Sequence, residues 1–333
     1  MRCRTSSLQL MNNPLIIVCG PTATGKTEYA LKLAREKNGE LVSADSRQIY
    51  KYLNIGTGKD LPPHSSLQYV NVLKYSDLDP TRFSVGYYPI EDTALWLYDV
   101  ITPDQKFSAY EYARTARTVM QDVWNRGKTP ILVGGTGLYI QAAVDGLDGL
   151  APADWKLREK LGNYEIAKLQ ATLNSLNPLK FKSINQSDRN NPRRLIRAIE
   201  ISSSTPSPQH PRNTLTHEVR FIGLIAPREE LYKRIDERVE KRIQQGMLDE
   251  IKSVLKMGYS WDDPGLNTIG YKQLRAYFEN KESLEEAVQK WKFAEHEYAR
   301  RQITWFKKDK RIEWVDTSCF QKKPHIMLVF PKR

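Results

Sequence analysis

Cysteine and histidine are scarce in this chain, with three Cys and five His among 333 residues. Cys3, Cys19 and Cys319 lie far apart with no C-x-x-C spacing, and the histidines do not cluster at metal-ligand spacing. That argues against a zinc site or a disulfide framework and suits a reducing, cytoplasmic setting. Long hydrophobic runs are also missing, as is the apolar N-terminal stretch of a signal peptide, so neither a membrane span nor secretion is expected. Acidic residues are in deficit: 39 Asp and Glu face 51 Lys and Arg, for a net charge of +12. This excess points to a polyanionic partner, nucleic acid first, with a merely solubilising cationic surface as the alternative. No internal repeats occur.

What is present starts with Gly20-Pro21-Thr22-Ala23-Thr24-Gly25-Lys26-Thr27, a complete G-x-x-x-x-G-K-[ST] phosphate loop. Leu15–Cys19 before it reads as a buried strand, and Glu28–Lys37 after it as a helix. Strand, glycine loop and helix together aim backbone N–H groups and a helix N-terminus at one anion. Lys26 would reach the outer phosphate, and the Thr27 hydroxyl would hold Mg²⁺. A di- or triphosphate is therefore expected.

The chain predicts an α/β fold: a P-loop NTPase-like parallel sheet flanked by helices, with a helical insertion domain. Further strands are expected at Leu41–Ala44, Pro130–Val133 and Phe221–Ile225, and an amphipathic helix over 109–126 with Ser108 as its cap. The catalytic core is assigned to 13–146 and 213–333, and the polar, helical stretch 147–212 to the insertion. A loop with three prolines, Ser202–Asn213, closes that insertion, and from Arg228 onward the chain reads as mostly helical. Residues 1–12 read as a disordered lead, within which Met11 is an alternative start.

Asp45 falls at the C-terminal end of a predicted strand, the edge where open parallel sheets bind ligands. A carboxylate there can act as a general base or a Mg²⁺ ligand, or it can simply cap the segment that follows. Thr136 follows Gly134 and Gly135, where its hydroxyl can donate to a leaving-group oxygen, or form part of a plain turn. Leu95-Trp96-Leu97-Tyr98-Asp99 is formally an apolar strand ending in Asp, which would suit an ATPase or kinase. Asn191 and Pro192 open a helix on which Arg193 and Arg197 lie four apart, a grip for RNA phosphates or an ordinary solvated face. Residues 290–311 hold eight Lys and Arg against three acidic residues, interleaved with Trp291, Phe293, Tyr298, Trp305 and Phe306. Such a stretch suits single-stranded RNA, while Trp305 is expected in the core.

Taken in order, these words resemble bacterial tRNA dimethylallyltransferases over nearly everything from Leu15 to Asp316. The resemblance rests on the phosphate loop, Ser43–Tyr50, Ile55–Lys59, Val133–Tyr139, Arg193–Glu200, Ile269–Tyr271 and Arg301–Trp305. It implies transfer of a dimethylallyl group from dimethylallyl diphosphate to N6 of an adenosine beside the anticodon. Asp45 would then be the general base, Thr136 a donor to the departing diphosphate, and Arg238 an arginine near it. The resemblance also implies tRNA contact by Asp45, Ser46, Arg47 and Gln48, by Arg193, Arg194 and Arg197, and by Gly270, Tyr271 and Lys272. Arg300, Arg301, Gln302, Trp305 and Lys307 complete that set, and the insertion matches the family's tRNA-clasping domain. One departure stands out: the family usually shows His-His-Leu-Ile-Asp where this chain has Leu95-Trp96-Leu97-Tyr98-Asp99. Competing readings are a kinase or ATPase, an enzyme that prenylates free adenine nucleotides, and an RNA-binding protein without activity. A monomer is expected, since no helix shows an apolar face in need of a second subunit.

Overall fold

A computed structural model describes residues 13–62, 65–70, 83–146, 153–203 and 217–319. The expected lead over 1–12 and the proline loop beyond Ser203 lie outside them. Among the described residues the strands are β1 (Leu15–Cys19), β2 (Gly39–Ser43), β3 (Gln68–Tyr69), β4 (Gly86–Ile90), β5 (Thr93–Trp96), β6 (Thr129–Gly134), β7 (Val219–Ile225) and β8 (Ile312–Asp316). They form one sheet in the order β3-β4-β5-β2-β6-β1-β7-β8. Pairing is parallel from β5 to β8, and antiparallel only where β3, β4 and β5 meet. Every residue of β1, β2 and β6 is buried. That accounts for their continuous apolar runs, since a parallel strand is covered on both faces.

The helices are α1 (Lys26–Lys37), α2 (Ala109–Asn125), α3 (Gly137–Val144), α4 (Trp155–Gly162), α5 (Ile166–Leu176), α6 (Pro178–Ser183), α7 (Gln186–Arg189), α8 (Pro192–Ser203), α9 (Arg228–Gln244), α10 (Met247–Lys256), α11 (Tyr271–Phe278) and α12 (Leu284–Phe306). Helix α1 begins two residues earlier than expected, directly on Lys26, because Gly25 takes the left-handed conformation (φ 76°) that starts it. Ser108 and Glu111 cap α2 reciprocally: Ser108 N–H donates to Glu111 Oε2 (2.6 Å) and Glu111 N–H to Ser108 Oγ (3.2 Å). Ser283 and Glu286 do the same for α12. The strand β8 was not anticipated, because Ile312-Glu313-Trp314-Val315-Asp316 shows no long apolar run. It lies at the end of the described sheet, paired with β7 alone, and so has no need of one.

The described residues fall into two compact units. One draws on residues up to 107, 114–140 and from 217 onward; the other on 108–113 and the chain from 141 through α8. The second is helical and has its own small core of Leu161, Leu169, Leu173, Leu195, Ala198 and Ile199. In it, Glu200 is buried and accepts from Arg158 (2.7 Å) and Arg197 (2.5 Å). In the first unit, Ile16, Val18, Leu41, Ile131 and Val133 pack beneath Ala30, Leu33 and Ala34 of α1. Burying each large aliphatic side chain of this kind contributes about 1.5–3 kcal/mol.

One buried charge is set into the sheet. Glu40 on β2 accepts from Trp96 Nε1 (2.8 Å), from both terminal nitrogens of Arg126 (2.5 and 2.7 Å) and from Lys128 Nζ (2.7 Å). Burial alone would push its carboxyl up, but these hydrogen bonds outweigh it and hold the group at about 2, against an ordinary 4.5. A depressed carboxylate stabilises the fold above the unfolded-state value and loses that contribution as pH falls toward the folded one. Glu40→Gln should therefore lower stability by about 2 kcal/mol at neutral pH, because both cations are partly solvated. In paired thermal melts, the gap between wild type and variant should close as pH falls from 4.5 toward 2. A gap constant over that range would remove Glu40 from the account.

Candidate active site

Strand order brings the candidate groups together. In the sheet β6 lies between β1 and β2, so the segments leaving their C-terminal ends are neighbours: Gly20–Thr27 after β1, Thr136 after β6 and Asp45 after β2. The turn after β6 rests directly on the end of β2, where Thr136 N–H donates to Ala44 O (3.1 Å). Gly134 is required there, since a Cβ would stand 2.2 Å from that same carbonyl oxygen. Ser46 N–H donates to Thr136 Oγ1 (3.0 Å), and Thr136 Oγ1 reaches Ser46 Oγ at 3.2 Å. The Thr136 hydroxyl thus accepts from the backbone and donates to the Ser46 hydroxyl, a proton it can turn to a ligand oxygen instead. Asp45 Oδ1 accepts from Arg47 N–H (2.9 Å), which orients the carboxylate across a turn and not at a helix start.

The phosphate loop has the bent backbone its chemistry needs. Gly20 lies at φ 137°, where a Cβ would meet Leu224 O at 2.2 Å, and Ala23 is left-handed at φ 63°. Thr24 Oγ1 and Lys26 Nζ both donate to Pro21 O, at 2.9 and 2.6 Å. Burial lowers the Lys26 ammonium from 10.5 to about 8, and the charge of Arg238 adds to that while Asp45 opposes it. Lys26, Arg238 and Asp45 therefore sense one another across one small volume. Thr27, in the first turn of α1, is exposed. Among the described residues no group of three or more His, Cys, Asp or Glu could hold a metal ion.

Two side chains that the sequence did not single out for this purpose tie backbone segments together, one at the phosphate loop and one at residues 54–56. Gln302 on α12 was expected at an RNA surface but is buried. Its Oε1 accepts from Thr22 N–H (2.9 Å) and its Nε2 donates to Gly135 O (2.9 Å), joining the phosphate loop to the Thr136 turn. Glu250 on α10 accepts from three successive N–H groups, Asn54 (2.7 Å), Ile55 (2.8 Å) and Gly56 (3.1 Å), and from the Tyr271 hydroxyl (2.5 Å). Tyr271 is consequently fully buried, another departure from the expected RNA contact. The spacing of Trp291, Glu295, Ala299, Gln302 and Phe306 was the available signal. They recur every three or four residues along one buried helix face.

Other expected contacts divide by exposure. Arg47 turns inward, with its guanidinium 4.0 Å from the Tyr298 ring centre and 3.4 Å from Glu295. Gln48 also turns inward, donating to Gly58 O (2.9 Å) and accepting from Ser43 Oγ (3.1 Å). Gly270 opens α11, its N–H donating to Gln273 Oε1 (2.8 Å). Arg193, Lys272, Arg301 and Lys307 are exposed. Arg300 is exposed but pairs with Glu297, and Arg194 with Asp188. Arg197 is held by Glu200, so Arg193 and Arg197 do not act as a matched pair. Trp305 is 42% exposed, contrary to its expected place in the core. Its indole lies over Gly137, where a Cβ would come within 2.2 Å of the ring.

The pentapeptide at 95–99 does not supply a metal-binding aspartate. Asp99 is buried and accepts from Lys59 Nζ and Tyr88 Oη, both at 2.5 Å. Leu95 and Trp96 belong to buried β5, and the phenol of Tyr98 is pushed up by burial and then by Asp45, with Gln48 bonded to it.

With its phosphate loop opening a helix at the C-terminal edge of a mainly parallel sheet, the molecule falls among the P-loop α/β proteins. Within that class the chain belongs to the IPP transferase family, whose family model matches residues 48–309. The tRNA dimethylallyltransferase of Acetivibrio thermocellus is 34% identical over 325 residues, 95% of this chain and 96% of that one. A tRNA dimethylallyltransferase 2 from Geotalea uraniireducens is 37% identical, covering 91% and 92%. Among solved structures, the tRNA isopentenylpyrophosphate transferase of Bacillus halodurans aligns with a TM-score of 0.61 at 31% identity, over 92% and 90% of the two chains. A eukaryotic dimethylallyltransferase acting on tRNA shares the fold at a TM-score of 0.69 and 22% identity, over 92% and 74%.

The Gln302 clamp can be tested by itself. Gln302→Leu leaves a buried N–H and a buried carbonyl unpaired, a loss of about 2–3 kcal/mol. Denaturant titration should read that loss. Unchanged stability would mean that the loop and the turn hold their places without it.

Proposed function

We propose that this chain transfers a dimethylallyl group from dimethylallyl diphosphate to N6 of the adenosine beside a tRNA anticodon. The observation that supports it best is the convergence of Asp45, Thr136 and the phosphate loop on adjacent strand ends, in a chain of this family. The exocyclic amine of adenine is a poor nucleophile, because its lone pair is delocalised into the ring. The allylic carbon compensates by parting readily from diphosphate. In the reaction N6 forms a bond to the allylic carbon, the carbon–oxygen bond breaks, its electron pair leaves with diphosphate, and one proton leaves N6.

Each group then has a task. Backbone N–H groups of Ala23–Thr27, with Lys26 and Arg238, hold the diphosphate and offset the charge it gains. Thr136 turns its proton from Ser46 Oγ to the oxygen that departs. Asp45, already oriented by Arg47 N–H, takes the proton from N6. Mg²⁺ fits a donor set made of the exposed Thr27 hydroxyl and the substrate's own phosphate oxygens, since this cation keeps waters and needs few protein ligands. When bound, it would neutralise charge on the diphosphate. The tRNA would be met by the exposed Arg301, Trp305 and Lys307 at the end of α12, with Lys272 and Arg193 as further contacts. A flipped adenine costs least from a loop, where stacking is already weak.

Incubating the protein with Mg²⁺, dimethylallyl diphosphate and tRNA lacking the modification, then weighing the digested nucleosides, tests the reading. An adenosine heavier by one isopentenyl group is expected. Thr136→Ala should lose about 10²–10³ in turnover, and Asp45→Ala should abolish product while tRNA still binds. Product formed on free adenosine monophosphate but not on tRNA would replace this reading with prenylation of free nucleotides. Donor binding should also respond to pH. Lys26 loses its charge as pH rises through about 8, so affinity for inorganic diphosphate should weaken above that value. Lys26→Arg keeps its charge and should lack the alkaline fall; if both proteins lose affinity alike, Lys26 is not the titrating group.

A further inference from the structure

A second arginine stands behind Arg238, one turn further along α9. Arg242 is 3% exposed, and its Nη2 has no hydrogen-bond partner among the described residues. Its Nη1 lies 3.8 Å from Oε1 of Glu295, itself 2% exposed. The same Oε1 also receives the closer contacts of Arg47 Nη1 and Trp291 Nε1, both at 3.4 Å, while Glu295 Oε2 has no partner among the described residues. These separations exceed the 2.7–2.9 Å typical of a closed charge-assisted hydrogen bond. The pair is therefore open: Arg242 Nη1 lies toward the carboxylate without closing on it, and Nη2 is unspent.

Where that nitrogen is directed follows from Gly58. This residue is left-handed at φ 65°, and a Cβ on it would lie 2.1 Å from Arg242 Nη2 and 3.5 Å from Arg238 Nη2. Two guanidinium groups therefore share the space beside one glycine. Burial and the charge of Arg238 lower the Arg242 guanidinium, as Arg238 also lowers Lys26. Arg238 thus acts on both cations, with Asp45 as a carboxylate near Lys26 and Glu295 and Asp60 near Arg242, an arrangement stabilised by an added anion. Glu295 is held low despite its burial by Arg47, Arg242 and Arg238, so it remains negative at neutral pH.

We propose that Arg242 is a second arginine for the diphosphate and that Glu295 is a positioning residue which tempers it, so that the pair sets how firmly the diphosphate is held and how readily it leaves. The proposal rests on the diphosphate site described above. Arg242 adds a donor to the leaving group alongside Arg238. Glu295 aims Arg242, and its negative charge repels the product anion. Removing that carboxylate's charge raises the net charge of the site by one without removing any donor.

Calorimetric titration with inorganic diphosphate in the presence of Mg²⁺ separates the outcomes. Arg242→Met should bind about tenfold more weakly than wild type, the usual cost of one charge-assisted hydrogen bond. Glu295→Gln should bind more tightly, by about tenfold for one buried charge removed nearby, and should show slower release of diphosphate after a single round of transfer. A merely structural role for Glu295 predicts weaker binding, since a damaged site loses affinity. Arg242→Lys, which keeps charge and most of the stem, serves where the Met variant does not fold and should fall between it and wild type. Wild-type affinity in both Arg242 variants, or unchanged or weaker binding in Glu295→Gln, overturns the proposal and leaves the diphosphate site standing. Failure of the wild type to bind inorganic diphosphate at all brings down the site itself, and this inference with it.

Discussion

The amide of Gln302 is the interaction on which the rest of this site depends. Its two ends bond to Thr22 and Gly135, so one side chain fixes the spacing between the phosphate loop and the turn that carries Thr136. Catalytic donors are worth their full value only when held where charge develops. The phosphate loop cannot supply that restraint itself, because Gly20, Ala23 and Gly25 all adopt positive-φ backbone conformations outside a regular hydrogen-bond ladder. A side chain with one donor and one acceptor on a rigid helix satisfies both loops at once. The apolar face on either side of it, through Ala299 and Phe306, keeps water from competing.

Electrostatics adds a second level to that frame. Lys26, Arg47, Arg238 and Arg242 lie close enough to perturb one another or the carboxylates between them. Such crowding is costly in a protein interior, and the carboxylates of Asp45 and Glu295 offset only part of it. A site of this kind holds stored repulsion that an anionic ligand relieves, which converts part of the folding free energy into binding free energy. Glu40 and Glu200 show the opposite arrangement. Each is a buried carboxylate closed off by cations at hydrogen-bond distance, and neither has anything left to give a ligand.

Much of the architecture was legible in the chain because it is local. The apolar runs at 15–19, 41–44, 130–133 and 221–225 became strands β1, β2, β6 and β7, and the capping pair Ser108 and Glu111 does start α2. Asp45 and Thr136 could be picked out because a residue at the end of a buried strand has few roles open to it. What could not be read is what depends on distant partners. Asp99 looked like a metal ligand until Lys59 and Tyr88 took up its oxygens. Trp305 looked like core, yet the helix face that is buried runs through Trp291 and Phe306, and Gly137 leaves it only a shallow seat. Tyr271 and Gln302 sit in motifs that resemblance assigns to RNA, while their side chains point into the protein.

The route of the chain through the sheet also governs when a working site can exist. The phosphate loop is made well before its partners: its clamp on α12 and the strand β8 that pairs with β7 come near the end of the described chain. Long-range contacts of this kind form late, after the entropy of closing the intervening chain has been met. A growing polypeptide therefore carries its anion-binding motif through the synthesis of every element before α12 without the means to hold it in shape. A loop of fixed shape arrives only with α12.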